Sequence, residues 1–147
     1  LAEALNPNHP GIIADQAEAL IYSSRPDLAL QKIETAIALH PLSPDSYFWI
    51  ASAASYMLGS FEAALGYIDR MADARLADRI SAASWAMLGD KERAGFFVRR
   101  VHDANPGFDI DKWLSVVPFK EQWQHDMYRE GLRRAGFWKS SSNPAGA

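Results

Sequence analysis

The chain has 147 residues, 48% of them apolar and 22% charged, a balance that supports a folded core and excludes a disordered tract. It contains no cysteine, which rules out disulfides, thiolate metal sites and a cysteine nucleophile. Its net charge of −3 is uneven, with 4 basic and 9 acidic side chains over 1–75 against 11 and 9 over 76–147; the basic excess of the second half is too mild for a nucleic-acid footprint.

In chain order, the opening Leu1-Ala2-Glu3-Ala4-Leu5-Asn6-Pro7 has neither an initiator Met nor a charged-then-apolar signal pattern. It reads as the last turns of a helix begun upstream, so the chain is expected to be cut from a longer protein. No apolar run approaches the ~20 residues that span a bilayer. Helices are predicted near 10–23 and 26–39, with Pro26 at a first helical position, where its missing N–H has no partner to lose. A second pair is predicted near 44–58 and 61–71, opened by Pro44, with Ser43 and Ser60 as N-caps. The third pair falls near 76–88 and 91–104, with Asp90 as N-cap. Gly59 and Gly89 stand at the turn inside a pair, where a residue of positive φ closes a helix at little cost. Ser24 holds that place in the first pair.

The punctuation repeats. Asn6-Pro7, His40-Pro41 and Asn105-Pro106 each close a helical run, and the first two prolines are 34 residues apart. Matching alanines are spaced by 35 residues (Ala29 to Ala64) and then by 30 (Ala64 to Ala94). Such a period marks tandem helix–turn–helix units that bury their apolar faces only by stacking. The link Met71 to Arg75 is short and lacks the closing proline, so the stacking is expected to be irregular there. Beyond Pro106, Gly107 to Trp113 reads as a loop entering a short helix that Val117-Pro118-Phe119 breaks. An amphipathic helix follows from about Lys120 to Ala135, with Trp123, Met127, Leu132 and Ala135 as its buried stripe. Arg129, Glu130, Arg133 and Arg134 are left for solvent. A terminal repeat needs a lid over its apolar face, and 107–138 is built like one.

The small residues carry a family resemblance. Ala29, Ile33, Ala36 and Pro41, then Ala64 and Ile68, then Ala94, Val98 and Pro106 resemble the second-helix half of the tetratricopeptide repeat, as do Ala2 and Pro7. In the first helices Ile13, Phe48 and Trp85 take large-residue positions, whereas Asp78 stands where a large residue is expected. The resemblance implies an all-α, tetratricopeptide-type superhelix of antiparallel helix pairs over 1–106, comprising the end of a preceding repeat plus three units. A helical cap over 107–138 and a loose tail over 139–147 complete the expected organisation.

A narrower resemblance lies in the cap. Asn105-Pro106-Gly107-Phe108, a Trp-containing segment, Pro118-Phe119-Lys120 and the run from Glu130 to Phe137 resemble the C-terminal end of certain bacterial proteins. In these, such repeats follow a class III adenylate/guanylate cyclase domain or a winged-helix DNA-binding domain. The resemblance implies a parent protein in cytoplasmic signalling or transcription.

No catalytic constellation stands out. His9 and His40 occupy equivalent turns, so their spacing is repetition and not ligation. His102 sits late on a helix, where a partly positive ring suits the dipole. Glu121 and His125 are four residues apart and Asp126 is adjacent, but a zinc site needs three or four converging ligands, and an ordinary surface pair is the better reading. Ser52 and Ser55 fall at small-residue packing positions, and Ser140 to Ser142 in the tail. The metal-binding carboxylates and transition-state Arg of a cyclase belong to an α/β domain, which this helical chain does not match. Neither catalysis, metal nor cofactor is expected of this segment.

The repeat family binds ligands on an inner, concave surface supplied mainly by the first helices. Those positions fall here on Ala14, Glu18, Ile21 and Tyr22, on Trp49, Ala53, Tyr56 and Met57, and on Arg79, Ala83 and Met87. The expected contacts are Glu18, Tyr22, Trp49, Tyr56, Met57 and Arg79. Trp49 and Tyr56 share one helix face two turns apart and are the expected aromatic anchors, with packing between repeats as the alternative. The family's carboxylate clamp needs Lys and Asn where this chain has Ala14 and Glu18, which argues against a receptor for chaperone tails. The expected function is a non-catalytic protein- or peptide-binding or self-association module, with neither nucleic acid nor membrane as partner. A structural spacer or dimerisation stalk, and a small-molecule sensor with Trp49 and Tyr56 in its pocket, are the rivals.

Overall fold

A computed structural model describes residues 8–137; the expectations for Ala2, Pro7 and residues 138–147 lie outside them. Every regular element among the described residues is helical. None of these helices is long and apolar enough to cross a membrane. The chain divides into two compact units, residues 1–77 and 78–147, so that the third helix pair and the cap share the second unit.

The first unit holds α1 (Pro10–Tyr22), α2 (Pro26–Leu39), α3 (Asp45–Met57), α4 (Phe61–Ile68) and a 3-10 turn, Ala74–Ala77. Pro10 and Pro26 open their helices, and the ring of His9 caps α1 by accepting the Gly11 N–H at 3.1 Å. Helix α3 packs on α2 and, less extensively, on α1, while α4 packs back on α3. From Tyr47 onward only Trp49 of α3 escapes full burial. Its run Ala51-Ser52-Ala53-Ala54-Ser55 explains this, because small side chains let neighbouring backbones approach on every side. Ala29 and Ala64, the repeated small positions, have no accessible surface. Polar cross-links tie the pairs together: Lys32 Nζ donates to Gln16 Oε1 at 2.6 Å, and the Tyr67 hydroxyl to Glu34 Oε1 at 2.9 Å.

Two expected boundaries shift for one reason. Helix α4 ends at Ile68, short of residue 71, and the stretch expected to be helical from 76 begins as a 3-10 turn. The carboxylate of Asp45, in the first turn of α3, accepts the N–H groups of Ala72 at 2.7 Å and Asp73 at 2.9 Å. Those amides are satisfied by a side chain and so need no helix. Pro44 is the residue before α3 and not within it. Ser43 therefore does not cap the helix; its hydroxyl donates to the His40 carbonyl at 2.6 Å. Ser60 precedes α4 as expected, without a side-chain cap bond.

The second unit holds α5 (Asp78–Met87), α6 (Lys91–Ala104), α7 (Ile110–Val116) and α8 (Gln122–Ala135). Asp90 caps α6 through the Arg93 N–H at 3.0 Å, and Asp109 caps α7 through the Lys112 N–H at 3.0 Å. Asp78, the departure from the family pattern, pairs with Arg100 at 3.1 Å and so ties α5 to α6. Helix α8 packs chiefly on α5 and only slightly on α6 and α7. Its buried stripe is Gln124, Tyr128, Gly131, Leu132 and Ala135, and Trp123, expected in that stripe, is 41% exposed. Leu132 and Ala135 are buried as expected, but in the first half of α8 Gln124 and Tyr128 replace Trp123 and Met127, because Tyr128 is drawn into an aromatic cluster, stacked on Phe119 at 5.8 Å and edge-on to Trp113 at 5.4 Å. Arg129, expected in solvent, is half-buried and pairs with Asp111 and Asp126, each at 3.2 Å.

One turn recurs four times. Ser24, Gly59, Gly89 and Gly136 all have positive φ, at 63°, 77°, 87° and 110°. Each donates its N–H to the carbonyl three residues back (Ile21, Tyr56, Ala86, Arg133) at 3.0–3.1 Å. The following N–H reaches the carbonyl five back (Leu20, Ser55, Trp85, Leu132) at 2.9–3.1 Å. This is the Schellman pairing, which satisfies the last carbonyls of a helix. Ser24 adopts the left-handed conformation despite its Cβ, so the register survives where glycine is missing.

Candidate functional site

In the first unit the expected inner face is partly closed. Ala14 and Ile21 on α1 are buried, as are Ala53, Tyr56 and Met57 on α3. Tyr56 has no accessible surface, and its ring lies 5.3 Å from that of Phe61. Such a residue belongs to the core, where truncating a large aromatic costs about 3–5 kcal/mol. Met57 is 5% exposed, and neither side chain offers a contact surface to a partner. Three expected contacts stay accessible: Glu18 is exposed, and Tyr22 and Trp49 are half-buried. The Trp49 backbone carbonyl accepts the Ser52 hydroxyl at 2.7 Å.

The accessible part of α1 is acidic and phenolic. Asp15 and Glu18 are exposed one turn apart, and neither forms an ion pair with another described residue. Burial raises the Tyr22 phenol above its usual range, and the adjacent Glu18 carboxylate raises it further. Burial likewise raises the Tyr47 phenol, with Asp15 as the second cause. Each of the two carboxylates thus acts electrostatically on a tyrosine. Like charges one turn apart on a helix repel. Asp15 and Tyr47 were not among the expected contacts. The spacing of Asp15 three residues before Glu18 carried that signal; the approach of Tyr47 from α3 did not show in the sequence.

In the second unit Ala83 is buried, while Arg79 and Met87 are half-buried. The Arg79 guanidinium carbon lies 4.8 Å from the centroid of the Trp113 ring and 5.7 Å from that of Phe108. Burial lowers the Arg79 pKa, opposed by Tyr128 and Asp78. An arginine keeps its charge nonetheless, and a ring face is a favourable platform for it. Elsewhere Arg93 covers Trp85 at 4.6 Å, and Phe96 is 47% exposed on α6.

The remaining polar candidates have structural neighbours. Ser52 and Ser55 are buried in α3. His102 packs on Phe137 at 5.3 Å, and His40 lies edge-on to Tyr47 at 5.9 Å. His125 meets the Val117 carbonyl through Nε2 at 3.0 Å, with its ring against Phe119, in place of the surface pair expected with Glu121. No group of three or more His, Asp or Glu side chains converges to hold a metal among the described residues. No family model matches the chain, and neither a curated protein nor a solved structure matches it significantly.

Proposed function

We propose that this chain is a non-catalytic binding module that takes a cationic segment of a protein or peptide, or of a second copy, on the accessible face of its first unit. The observation that supports it is the Asp15–Glu18–Tyr22 surface of α1. Two carboxylates without ion-pair partners among the described residues stand there, Glu18 next to the half-buried Tyr22 phenol and Asp15 within electrostatic reach of the buried Tyr47, on a helix that is firmly packed behind. A Lys or Arg side chain arriving there meets an opposite charge and the Tyr22 ring together, the combination that attracts organic cations. Trp49 supplies the apolar anchor on α3. In this reading the module serves a larger cytoplasmic bacterial signalling protein. The short motifs around Asn105 to Phe108 and Glu130 to Phe137 favour one with a nucleotide cyclase or winged-helix domain.

An array of basic, neutral and acidic peptides probed with the labelled protein tests this directly. Retention by the basic set is expected. Glu18→Gln should weaken it, and Trp49→Ala should lower affinity by more than ~1 kcal/mol while leaving the fold intact. Equal retention by all three sets, or indifference to Glu18→Gln, would remove this face from consideration. A structural spacer, the main rival, predicts that indifference.

A further inference from the structure

The second unit contains three half-buried arginines, and two of them have acid partners. Arg100 pairs with Asp78 at 3.1 Å and Arg129 with Asp111 at 3.2 Å. Arg79, next to Asp78 in the first turn of α5, forms no ion pair and donates no hydrogen bond to a described residue. Its surroundings are rings: Trp113 at 4.8 Å and Phe108 at 5.7 Å. That wall is braced from behind, Phe108 packing on Phe137 at 5.1 Å and Trp113 on Tyr128 at 5.4 Å. Ring faces attract the positive charge but accept none of the five N–H donors in a conventional bond. None of the guanidinium nitrogens is sealed from solvent without a partner. The guanidinium is thus held against the rings on a side chain that is half-buried and not sealed.

We propose that Arg79, backed by Trp113 and Phe108, is a subsite for a carboxylate group of a ligand. A planar carboxylate matches the guanidinium fork with two parallel hydrogen bonds, and the partly desolvated setting strengthens them. A single positive charge, already felt by the neighbouring Asp78 carboxylate, suits a monoanion; a phosphate dianion calls for further cations, and Arg100 and Arg129 are already neutralised. The flanking rings favour an apolar or aromatic group attached to that carboxylate. Placement in the first turn of α5 adds a favourable helix dipole for the anion. This inference rests on the binding reading only in assigning Arg79 to a ligand face, and it does not require the cationic segment on α1.

The test is a titration of the full chain with sodium benzoate, followed by NMR at the Arg79 Nε–H and the Trp113 indole N–H. Sodium chloride and inorganic phosphate at matched ionic strength serve as the comparison arms. Saturable shifts of both signals with benzoate are expected, with the Trp113 shift absent in Arg79→Gln. Arg79→Lys keeps charge and bulk but loses the fork, and should weaken benzoate by at least about tenfold, even if the Gln variant does not fold. Shifts that never saturate, or a Trp113 titration of unchanged affinity in the Lys variant, would overturn the proposal. Phosphate binding as tight as benzoate would overturn the carboxylate assignment. Neither result bears on retention of basic peptides, so the two readings fail separately.

Discussion

Gly59 and Gly66 test the turn geometry against each other within one unit. A Cβ built at either position has no heavy atom within 4 Å, so alanine meets no clash at either. They differ only in backbone: Gly59 has φ 77° in the turn after α3, and Gly66 lies within α4. At Gly59 an L side chain suffers the left-handed penalty of ~1–2 kcal/mol. Stiffening of the unfolded chain by alanine returns ~0.4–1 kcal/mol, leaving a net loss of about 1 kcal/mol. At Gly66 the helical backbone suits alanine, and a gain of ~0.5–1 kcal/mol is expected. Urea unfolding followed by far-ultraviolet circular dichroism should show the midpoint falling for Gly59→Ala and rising for Gly66→Ala, with the slope unchanged. Gly89→Ala should follow Gly59→Ala, since it has φ 87° and equally open space. A neutral or stabilising Gly59→Ala, or a destabilising Gly66→Ala, would refute the assignment of these turns.

Further outcomes follow from packing, hydrogen bonding and titration. Ala64→Leu forces extra carbons into a site with no accessible surface, and thermal unfolding should show a loss of ~1–3 kcal/mol. An unchanged melting curve there would contradict the close helix contact. Asp45→Asn removes the charge that holds the 72–73 amides, so hydrogen exchange at Ala72 and Asp73 should accelerate by at least about tenfold. Unaltered exchange would mean that the link is ordered by something else. Tyr67 is pushed from 10.0 up to about 12, first by burial and then by its bond to Glu34. The unfolded chain therefore loses this proton first, so the contribution of Tyr67 is full below about pH 10 and lost as pH rises towards 12. Tyr67→Phe should flatten that alkaline decline in stability, and an identical decline would exclude Tyr67 as its source.

The helical character, the placement of nearly every helix and the turns inside the pairs were legible in the sequence. They depend on local chemistry: proline opens a helix, glycine closes it in the left-handed region, and alanine recurs where backbones approach. Ser24 shows how far that logic reaches, since the register of the other turns located a left-handed residue where no glycine marks it. What the linear pattern lacked was the partner of each polar group. Nothing near Asp45 reveals that its carboxylate satisfies two amides across a distant link and so shortens α4. Asp78 looked like a defect in the repeat until Arg100 supplied its countercharge. Periodicity placed Leu132 and Ala135 correctly but misjudged the first half of α8 by one residue, because Trp123 with Met127 looks at least as apolar as Gln124 with Tyr128. The rings of Trp113 and Phe119, brought in from other segments, decided between them.

The same division holds for the candidate faces. The sequence by itself determined which residues share a helix face, and so grouped Glu18 with Tyr22 and Trp49 with Tyr56. Tertiary structure alone decided which of them water can reach. It sealed Tyr56 behind Phe61, left Trp49 half open, and set Arg79 against aromatic residues about thirty positions away in the chain. Helical periodicity is a property of one segment. Burial and charge compensation depend on what the other segments bring alongside, and no spacing within a single helix encodes that.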